Sequence, residues 1–253
     1  MCEHAGRVLE NKVAIVTGAS SGIGYTTSLA LSNAGLRVAV GARRIDRLKE
    51  LEGQIIKNNK EVFIQKLDVT RRLDCISFVD AVVKRWGRVD ILINNAGLMP
   101  LSYFQNGKVE EWEQMIDVNI KGVLYCTSAV IPFMYKEKSG HIVNLSSVAG
   151  RIVFAGGTVY CATKHAITAF SEGLRKELSP KNNIRVTCIE PGAVSTELLQ
   201  TITDESMSGF IKATKNLETL QAEDIANAVL YAIEAPNHVN VNEILIRPTA
   251  QER

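Results

Sequence analysis

The stretch Thr17-Gly18-Ala19-Ser20-Ser21-Gly22-Ile23-Gly24 decides the fold of this chain. It follows an apolar run at residues 12–17 that is typical of a buried strand, and it leads directly into a helical pattern at residues 23–33. Glycines permit a sharp turn and a close approach of phosphate oxygens, and a helix start offers unpaired N–H groups. A lone glycine-rich stretch also fits a plain turn. Between a first strand and a first helix, however, it predicts a loop that binds a dinucleotide.

The rest of the chain repeats this strand–helix alternation. Further apolar runs rich in Val and Ile lie at residues 37–41, 62–67, 89–94, 141–145, 185–189 and 242–246. Helical patterns lie between them at residues 47–57, 71–86, 109–135, 159–178 and 222–234. Because the runs show little alternation, they indicate strands that helices cover on both faces. We therefore predict one α/β domain over residues 1–253, a Rossmann-type doubly wound parallel sheet of about seven strands.

Composition excludes several classes of protein. The chain has 29 basic and 27 acidic residues, 46% apolar residues and 22% charged residues, which is typical of a globular protein. The net charge of +2 offers no electrostatic reason to bind nucleic acid or an anionic membrane. The longest run without charge, residues 91–107, contains Asn94, Asn95 and Pro100, so no membrane span is expected.

The start of the chain and the cysteines indicate a location in the cytoplasm. Met1-Cys2-Glu3-His4 does not resemble the basic start of a secretory signal. The five cysteines are odd in number and widely spaced, at Cys2, Cys75, Cys126, Cys161 and Cys188. We interpret them as reduced thiols and predict no metal site.

One segment, residues 195–220, breaks the alternation because it is polar and only moderately helical. It fits either a surface insertion or a substrate lid over a site. Both interpretations stay open at the level of sequence.

The end of the second strand predicts which dinucleotide is bound. An acidic residue there would accept a hydrogen bond from the ribose 2′-OH of NAD, but this strand runs into Ala42-Arg43-Arg44. Guanidinium groups bind phosphate well, so Arg43 and Arg44 favour NADP(H). Alternatively, Arg43 and Arg44 are only the solvated start of a helix. Two cations at that position would oppose the helix dipole, which makes this alternative unfavourable without an anion. Asp46 is an alternative acceptor for a 2′-OH.

Tyr160 and Lys164 are a candidate acid–base pair. Their spacing of four residues within a helical pattern places both side chains on one face. An ammonium about 4 Å from a phenol could bring its pKa from near 10 toward about 7, although burial acts in the opposite direction. Such a phenol could exchange a proton with a carbonyl or alcohol oxygen. The spacing alone also fits an ordinary surface pair.

Three other segments add polar candidates. Ser146 and Ser147 follow the strand at residues 141–145, and Asn94-Asn95-Ala96-Gly97 closes an earlier strand at the same sheet edge. A serine at that edge could donate to an oxyanion. The Asn-Gly segment also fits a turn, and Asn119 also fits a polar helix residue that bonds locally.

Together these residues resemble the short-chain dehydrogenase/reductase family over residues 11–247. The motif TGxxxGIG corresponds to residues 17–24, NNAG to residues 94–97 and YxxxK to residues 160–164. The resemblance places the serine thirteen residues before Tyr160, which selects Ser147, and it matches the assisting asparagine to Asn119. It implies NADP(H) as cofactor, with hydride transfer to a carbonyl carbon and Tyr160 as proton donor.

The resemblance also implies a role for each site residue. Asn119, Ser147, Tyr160 and Lys164 would be catalytic, with Ser147 polarising the oxygen and Lys164 binding the nicotinamide ribose. The implied cofactor contacts are Gly18, Ser20, Ser21, Gly22, Ile23, Gly24, Arg43, Arg44, Asp68, Val69, Asn95, Ala96, Gly97, Tyr160, Lys164, Pro191, Gly192, Val194 and Thr196. Asp68 and Val69 would contact adenine, and Val194 and Thr196 the nicotinamide carboxamide. Members of the family are usually homotetramers, so a homo-oligomer is expected.

Residues 154–160 and 236–242 resemble NADP-dependent 3-hydroxy acid dehydrogenases, and residues 243–249 also resemble clavulanate-type aldehyde reductases. The expected substrate is a 3-hydroxy acid, a semialdehyde, or another small aldehyde or ketone. Lys212 and Lys215 are candidates to face a carboxylate, although a solvated helix face explains them better. A 3-oxoacyl carrier-protein reductase is one alternative, and a non-catalytic NADP-sensing protein is another.

Overall fold

The computed structural model describes residues 9–252, which form one seven-stranded parallel sheet covered by helices. The strands are β1 (Val13–Thr17), β2 (Arg37–Ala42), β3 (Val62–Lys66), β4 (Ile91–Asn94), β5 (Gly140–Leu145), β6 (Ile184–Pro191) and β7 (Glu243–Ile246). The helices are α1 (Gly22–Asn33), α2 (Ile45–Lys57), α3 (Arg72–Trp86), α4 (Val109–Ile116), α5 (Gly122–Glu137), α6 (Thr158–Asn182), α7 (Ser208–Lys215) and α8 (Ala222–Glu234). The predicted doubly wound α/β fold is confirmed. Residues 1–8, which include Met1-Cys2-Glu3-His4, and residue 253 lie outside the described residues.

The strand order places a crevice at the centre of the sheet. The order is β3-β2-β1-β4-β5-β6-β7, so the chain moves outward from β1 in one direction and then returns to start again at β4. Val16 of β1 pairs with Val40 on one side and with Ile93 on the other. Ligands bind open α/β sheets where the winding direction reverses, at the carboxyl ends of the strands.

Two apolar layers hold the helices to the sheet. On one face Phe78 of α3 and Met134 of α5 are buried against the strands, and on the other face Leu31 of α1, Leu51 of α2 and Val229 of α8 are buried. All residues of β1, β4, β5 and β6 are buried. Burial on both faces explains why these strands show no alternation of apolar and polar residues.

The long helix expected at residues 109–135 is interrupted. A π-helical turn, Asp117–Lys121, separates α4 from α5 and contains Asn119. Asn119 is buried there and bonds to a distant turn, a contact that helical periodicity cannot reveal.

The segment at residues 195–220 forms two 3₁₀ turns, Glu197–Thr201 and Glu205–Met207, followed by α7. Ser195 N donates to Leu220 O and Leu220 N donates to Ala193 O, so the two ends of the segment are joined at its base. We refer to residues 195–220 as the lid segment. Within residues 9–252, no helix is long and apolar enough to cross a membrane.

Candidate active site

A cleft of about 1320 Å³ opens at the carboxyl ends of the strands. The loops that follow β1 to β6 and the lid segment form its wall. The predicted site residues on this wall are Gly18, Ser20, Ser21, Gly22, Ile23, Arg43, Arg44, Asp68, Val69, Asn95, Ala96, Gly97, Ser147, Tyr160, Lys164, Pro191, Gly192, Val194 and Thr196. Two predicted residues, Gly24 and Asn119, are not on the wall. The fold therefore brings nearly all of the candidates to one cleft.

The loop after β1 is shaped for a close approach by a ligand. Gly18 has a φ of +67°, and a Cβ atom at this position would lie 2.7 Å from Ala96 Cα. Gly24 is buried, and a Cβ atom there would lie 2.3 Å from Asn95 Nδ2. Gly24 therefore has a packing role, because its missing side chain lets α1 start against the turn after β4. The open N–H groups at the start of α1 suit a phosphate.

Thr17 and Asn95 connect the loop after β1 to the turn after β4. The Thr17 hydroxyl accepts hydrogen bonds of 3.1 Å from both Asn95 N and Ala96 N. Asn95 Nδ2 donates to Thr17 O at 2.9 Å and to Gly18 O at 3.2 Å. Sequence reasoning assigned no role to Thr17, although its place in the motif TGxxxGIG could have drawn attention to it.

Asn94 faces the core beneath the cleft and not the cleft itself. Its Nδ2 donates to Asn144 Oδ1 at 2.9 Å and to Thr127 Oγ1 at 3.0 Å. Asn144 in turn donates to Ser171 Oγ at 2.9 Å. These buried bonds connect β4 and β5 with α5 and α6, and they stabilise the sheet edge on which the site is built.

Arg43 and Arg44 lie on the cleft wall at the end of β2. Arg44 donates to Ser20 Oγ at 3.1 Å and to Ser21 Oγ at 2.6 Å, so its guanidinium lies against the loop after β1. It also donates to Glu197 Oε2 of the lid segment at 2.8 Å. This bond lowers the pKa of Glu197. Glu197, from a distant part of the chain, therefore gives Arg44 a protein anion that the sequence did not indicate.

Arg43 has no hydrogen bond or ion pair within residues 9–252 and faces Asp68, the first residue after Leu67. Burial acts to raise the pKa of Asp68, but two hydrogen bonds from Thr70 and the charge of Arg43 lower it overall. Asp46 is exposed and lies off the cleft wall, so it is not placed to receive a ribose hydroxyl.

Tyr160 and Lys164 lie in the first turns of α6, and Ser147 follows β5. Lys164 Nζ lies 5.8 Å from the centroid of the Tyr160 ring and donates to Leu145 O at 2.8 Å. Ser147 Oγ donates to Pro191 O at 3.3 Å and accepts from Ala149 N at 3.1 Å. The phenol, the hydroxyl and the ammonium all line the same cleft.

The pKa of the Tyr160 phenol differs from our expectation. Burial raises it from 10.0 to about 12, and the hydrogen bond with Ser147 opposes this only in part. Burial also lowers the pKa of Lys164 from 10.5 to about 8. Tyr160 is 5% exposed and Lys164 8% exposed, and desolvation is the largest cause of both pKa shifts. At neutral pH the phenol is therefore protonated and can act as an acid.

Ser146 and Ser147 have different roles. Ser146 Oγ donates to Lys164 O at 2.9 Å and contacts Thr168 Oγ1 at 3.0 Å, so it is occupied in attaching β5 to α6. Ser147 lines the cleft with Tyr160, and its hydroxyl lowers the pKa of the phenol. The geometry therefore favours Ser147 as the residue that faces a substrate oxygen.

Asn119 acts from behind the cleft wall. Its side chain accepts from Leu98 N at 2.9 Å, donates to Leu98 O at 2.9 Å, and donates to Thr163 Oγ1 at 3.2 Å. These bonds attach the turn after β4 to α6 one residue before Lys164. The Asn119 amide thus holds two segments of the wall together, with both N–H groups and the oxygen bonded.

The cleft wall after β6 includes a residue that sequence reasoning missed. Pro191, Gly192, Val194 and Thr196 line the cleft as expected, and Gln251 joins them from the C-terminal tail. Gln251 Oε1 accepts from Ala193 N at 2.9 Å. No local pattern identifies Gln251, since its contact depends on how the tail returns to β6.

The lid segment closes one side of the cleft. Thr201 Oγ1 accepts from Met99 N at 3.0 Å, and Asp204 accepts from Asn106 Nδ2 at 2.7 Å. Ile202 and Met207 are buried in the core. Lys212 and Lys215 are exposed and off the wall, as the solvated-face interpretation predicts. Within residues 9–252, no group of three or more His, Cys, Asp or Glu side chains could hold a metal ion.

Known proteins are similar to this chain over almost its whole length. The family model "short chain dehydrogenase" matches residues 12–207. An uncharacterized oxidoreductase of Staphylococcus saprophyticus is 48% identical over 245 residues, which cover 96% of this chain and 98% of that protein. The closed form of a serine dehydrogenase complexed with NADP+ superposes with a TM-score of 0.88 at 36% identity, covering 95% of this chain and 96% of that one. An alcohol dehydrogenase from Thermococcus sibiricus, complexed with 5-hydroxy-NADP, gives a TM-score of 0.85 at 29% identity, covering 96% and 99%.

Proposed function

The chain belongs to the short chain dehydrogenase family, and on this premise we propose that it is an NADP(H)-dependent oxidoreductase acting on small carbonyl compounds and alcohols. One observation carries the proposal. The Ser147 hydroxyl, the Tyr160 phenol and the Lys164 ammonium line the same cleft as the glycine loop and the two arginines. A proton donor and a dinucleotide site are thus parts of a single cavity.

The cleft fits NADP(H) in shape and charge. The loop after β1 has no side chain at Gly18 and Gly22, and helix α1 begins directly behind it. Arg43 and Arg44 line the same end of the cleft and offer guanidinium groups to a 2′-phosphate. Relatives of known structure carry NADP+ or 5-hydroxy-NADP, which supports the same choice. When bound, the cofactor supplies the hydride.

Ser147, Tyr160 and Lys164 bind the substrate oxygen and transfer the proton. In reduction, the Ser147 hydroxyl donates to the substrate oxygen, and Tyr160 transfers its proton to that oxygen as it gains charge. Burial keeps the phenol protonated at neutral pH, where it is ready as an acid. In oxidation, Tyr160 must first lose its proton, so this direction is expected to accelerate toward alkaline pH. Lys164 favours this loss of the proton through its charge only while its own ammonium is protonated, that is, up to about pH 8.

Within this reaction class, the resemblance of residues 154–160 and 236–242 to 3-hydroxy acid dehydrogenases favours 3-hydroxy acids and semialdehydes as substrates. Other small aldehydes and ketones are further candidates. We further propose a homo-oligomer, a tetramer by resemblance. Exposed apolar residues on the helices around Asn119, such as Ile116 and Leu124, support this proposal. Four free buried thiols among residues 9–252 support a reducing compartment such as the cytoplasm.

The test compares Tyr160→Phe with the natural protein in NADPH oxidation with a panel of small aldehydes and ketones. We expect the variant to lose about 1000-fold in kcat, because it lacks the proton donor, and to keep its NADPH affinity. Tyr231→Phe is the matched control, because Tyr231 is an exposed phenol on α8 away from the cleft. Full turnover by Tyr160→Phe would overturn the acid–base role. NADPH binding without turnover by the natural protein would indicate a sensor.

A further inference from the structure

The cleft has an apolar region that the cofactor-binding loops do not form. Met99 after β4, Ile152 and Phe154 before α6, and Leu199, Phe210 and Leu217 of the lid segment line it. The segment with Ile152 and Phe154 leads directly into α6, which carries Tyr160. This apolar region is therefore next to the candidate proton donor.

Phe154 and Phe210 are in contact across the apolar region. The rings of Phe154 and Phe210 are stacked with centroids 5.6 Å apart and planes at 5°. Phe210 lies on α7 and Phe154 on the main body of the protein, so the pair is a direct contact between α7 and the wall. A flat apolar surface of this kind favours flat or aliphatic groups over hydrated ones.

The hydroxyls in this region are already occupied. Thr201 accepts from Met99 N at 3.0 Å and donates to Leu198 O at 2.7 Å. Thr214 donates to Phe210 O at 2.9 Å. Apart from the Ser147 and Tyr160 hydroxyls and the exposed Gln200 side chain, the region thus offers few polar groups to a ligand.

The cationic side chains on and near the cleft wall are engaged outside the apolar region. Within the described chain, the cations on the cleft wall are Arg43, Arg44 and Lys164. Arg44 bonds to the loop after β1, and Lys164 Nζ bonds to Leu145 O. Arg151, beside Ile152, donates to Glu190 Oε1 at 2.9 Å. An ionised carboxylate in the apolar region would therefore be buried without a cation, which is costly.

We propose that the apolar region selects neutral carbonyl substrates with an aromatic or aliphatic substituent, and that Phe154 and Phe210 determine this specificity. The proposal rests on the proposed function and narrows it. According to this proposal, the substrate preference of this chain differs from that of enzymes that act on ionised 3-hydroxy acids. The overall fold is nevertheless similar to that of a serine dehydrogenase. The substituent packs against the two rings while the carbonyl oxygen meets Ser147 and Tyr160.

The experiment uses substrate pairs in which one member is neutral and the other carries an ionised carboxylate, with the full chain and NADPH. Methyl 3-oxobutanoate is compared with 3-oxobutanoate, and benzaldehyde with 4-carboxybenzaldehyde. We expect kcat/KM to favour each neutral member by about 100-fold or more, since the ionised member buries an unpaired charge. Equal values, or a preference for the acids, would overturn the proposal while leaving the reaction class intact. Absence of turnover with all four compounds would count against both proposals.

Variants of Phe154 and Phe210 test whether these two rings determine the specificity. Phe154→Ala and Phe210→Ala should each raise KM for benzaldehyde by about 10-fold and leave NADPH affinity unchanged, and Phe210→Leu should restore most of the loss. Phe104→Ala is the matched control, because Phe104 and Trp112 form a stacked pair at 4.7 Å that does not line the cleft. An unchanged KM in folded Phe210→Ala and Phe154→Ala, or an equal rise in Phe104→Ala, would refute the assignment.

Discussion

The guanidinium group of Arg44 donates a 2.8 Å hydrogen bond to Glu197, which connects the end of β2 to the start of the lid segment. The same group donates to Ser20 and Ser21 of the loop after β1. A 2′-phosphate that binds Arg44 must therefore compete with the Glu197 carboxylate. Cofactor affinity and lid contacts are linked through one ion pair.

Removal of the competing carboxylate should strengthen NADPH binding. Both partners are about half exposed, so the pair is worth about 0.2–1 kcal/mol. For Glu197→Gln we expect the NADPH Kd to fall by about 2- to 5-fold and the NADH Kd to change less, as measured by fluorescence titration. Glu50→Gln is the control, because Glu50 pairs with Arg47 outside the cleft. An equal gain for both coenzymes would contradict the competition.

The two arginines should decide the choice of coenzyme. The double variant Arg43→Ala with Arg44→Ala removes both guanidinium groups that can face a 2′-phosphate. We expect the NADPH Kd to rise by about 100-fold, as charged hydrogen bonds are lost, with little change for NADH. Arg47→Ala, an exposed arginine of α2 off the cleft wall, should change neither value. Parallel losses of NADPH and NADH affinity would exclude a 2′-phosphate site here.

Lys164 should make stability depend on pH. Burial lowers its pKa from 10.5 to about 8 in the folded chain, so between these values the unfolded chain binds more protons. The free energy of unfolding contributed by this site therefore rises with pH through that window and is lowest below pH 8. Lys164→Met removes the effect. From pH 7 to pH 9, urea denaturation should show the natural protein gaining about 1 kcal/mol relative to the variant.

The comparison with Lys164→Met is internally controlled. Burial raises the pKa of Cys188 to about 11, and Cys188 interacts with Lys164, so Cys188→Ser is introduced into both proteins to remove its effect. Tyr160 titrates too high to contribute in that range. Curves that stay parallel from pH 7 to pH 9 would show that the ammonium is not desolvated.

Gly24 should be essential for packing at the start of α1. A Cβ atom there would lie 2.3 Å from Asn95 Nδ2 and 2.7 Å from Gly18 O, so Gly24→Ala must displace the turn after β4. We expect a loss of about 1–3 kcal/mol in the free energy of unfolding, together with weaker NADPH binding. Gly53→Ala, an exposed helical position with nothing within 4 Å, should instead stabilise by about 0.5–1 kcal/mol. Similar effects in both variants would rule out the close contact as the cause.

Much of the fold could be predicted because its signals are local. The loop at residues 17–24 and the buried strands follow from backbone periodicity and from the steric freedom of glycine. The spacing of Tyr160 and Lys164 is likewise a property of a single helix. The π-helical turn at Asn119 was missed because the contact that uses its side chain, to Leu98, joins two separate segments.

The sequence by itself determined the doubly wound sheet, the dinucleotide loop and the residue types at the sheet edge, since each depends on neighbours a few positions apart. Only the tertiary structure decided that Glu197 reaches Arg44 across 153 positions, and that Phe154 stacks on Phe210. It also decided that the Tyr160 phenol is buried, which raises its pKa. Desolvation and long-range contacts depend on which distant segments pack together, and no local pattern carries that information.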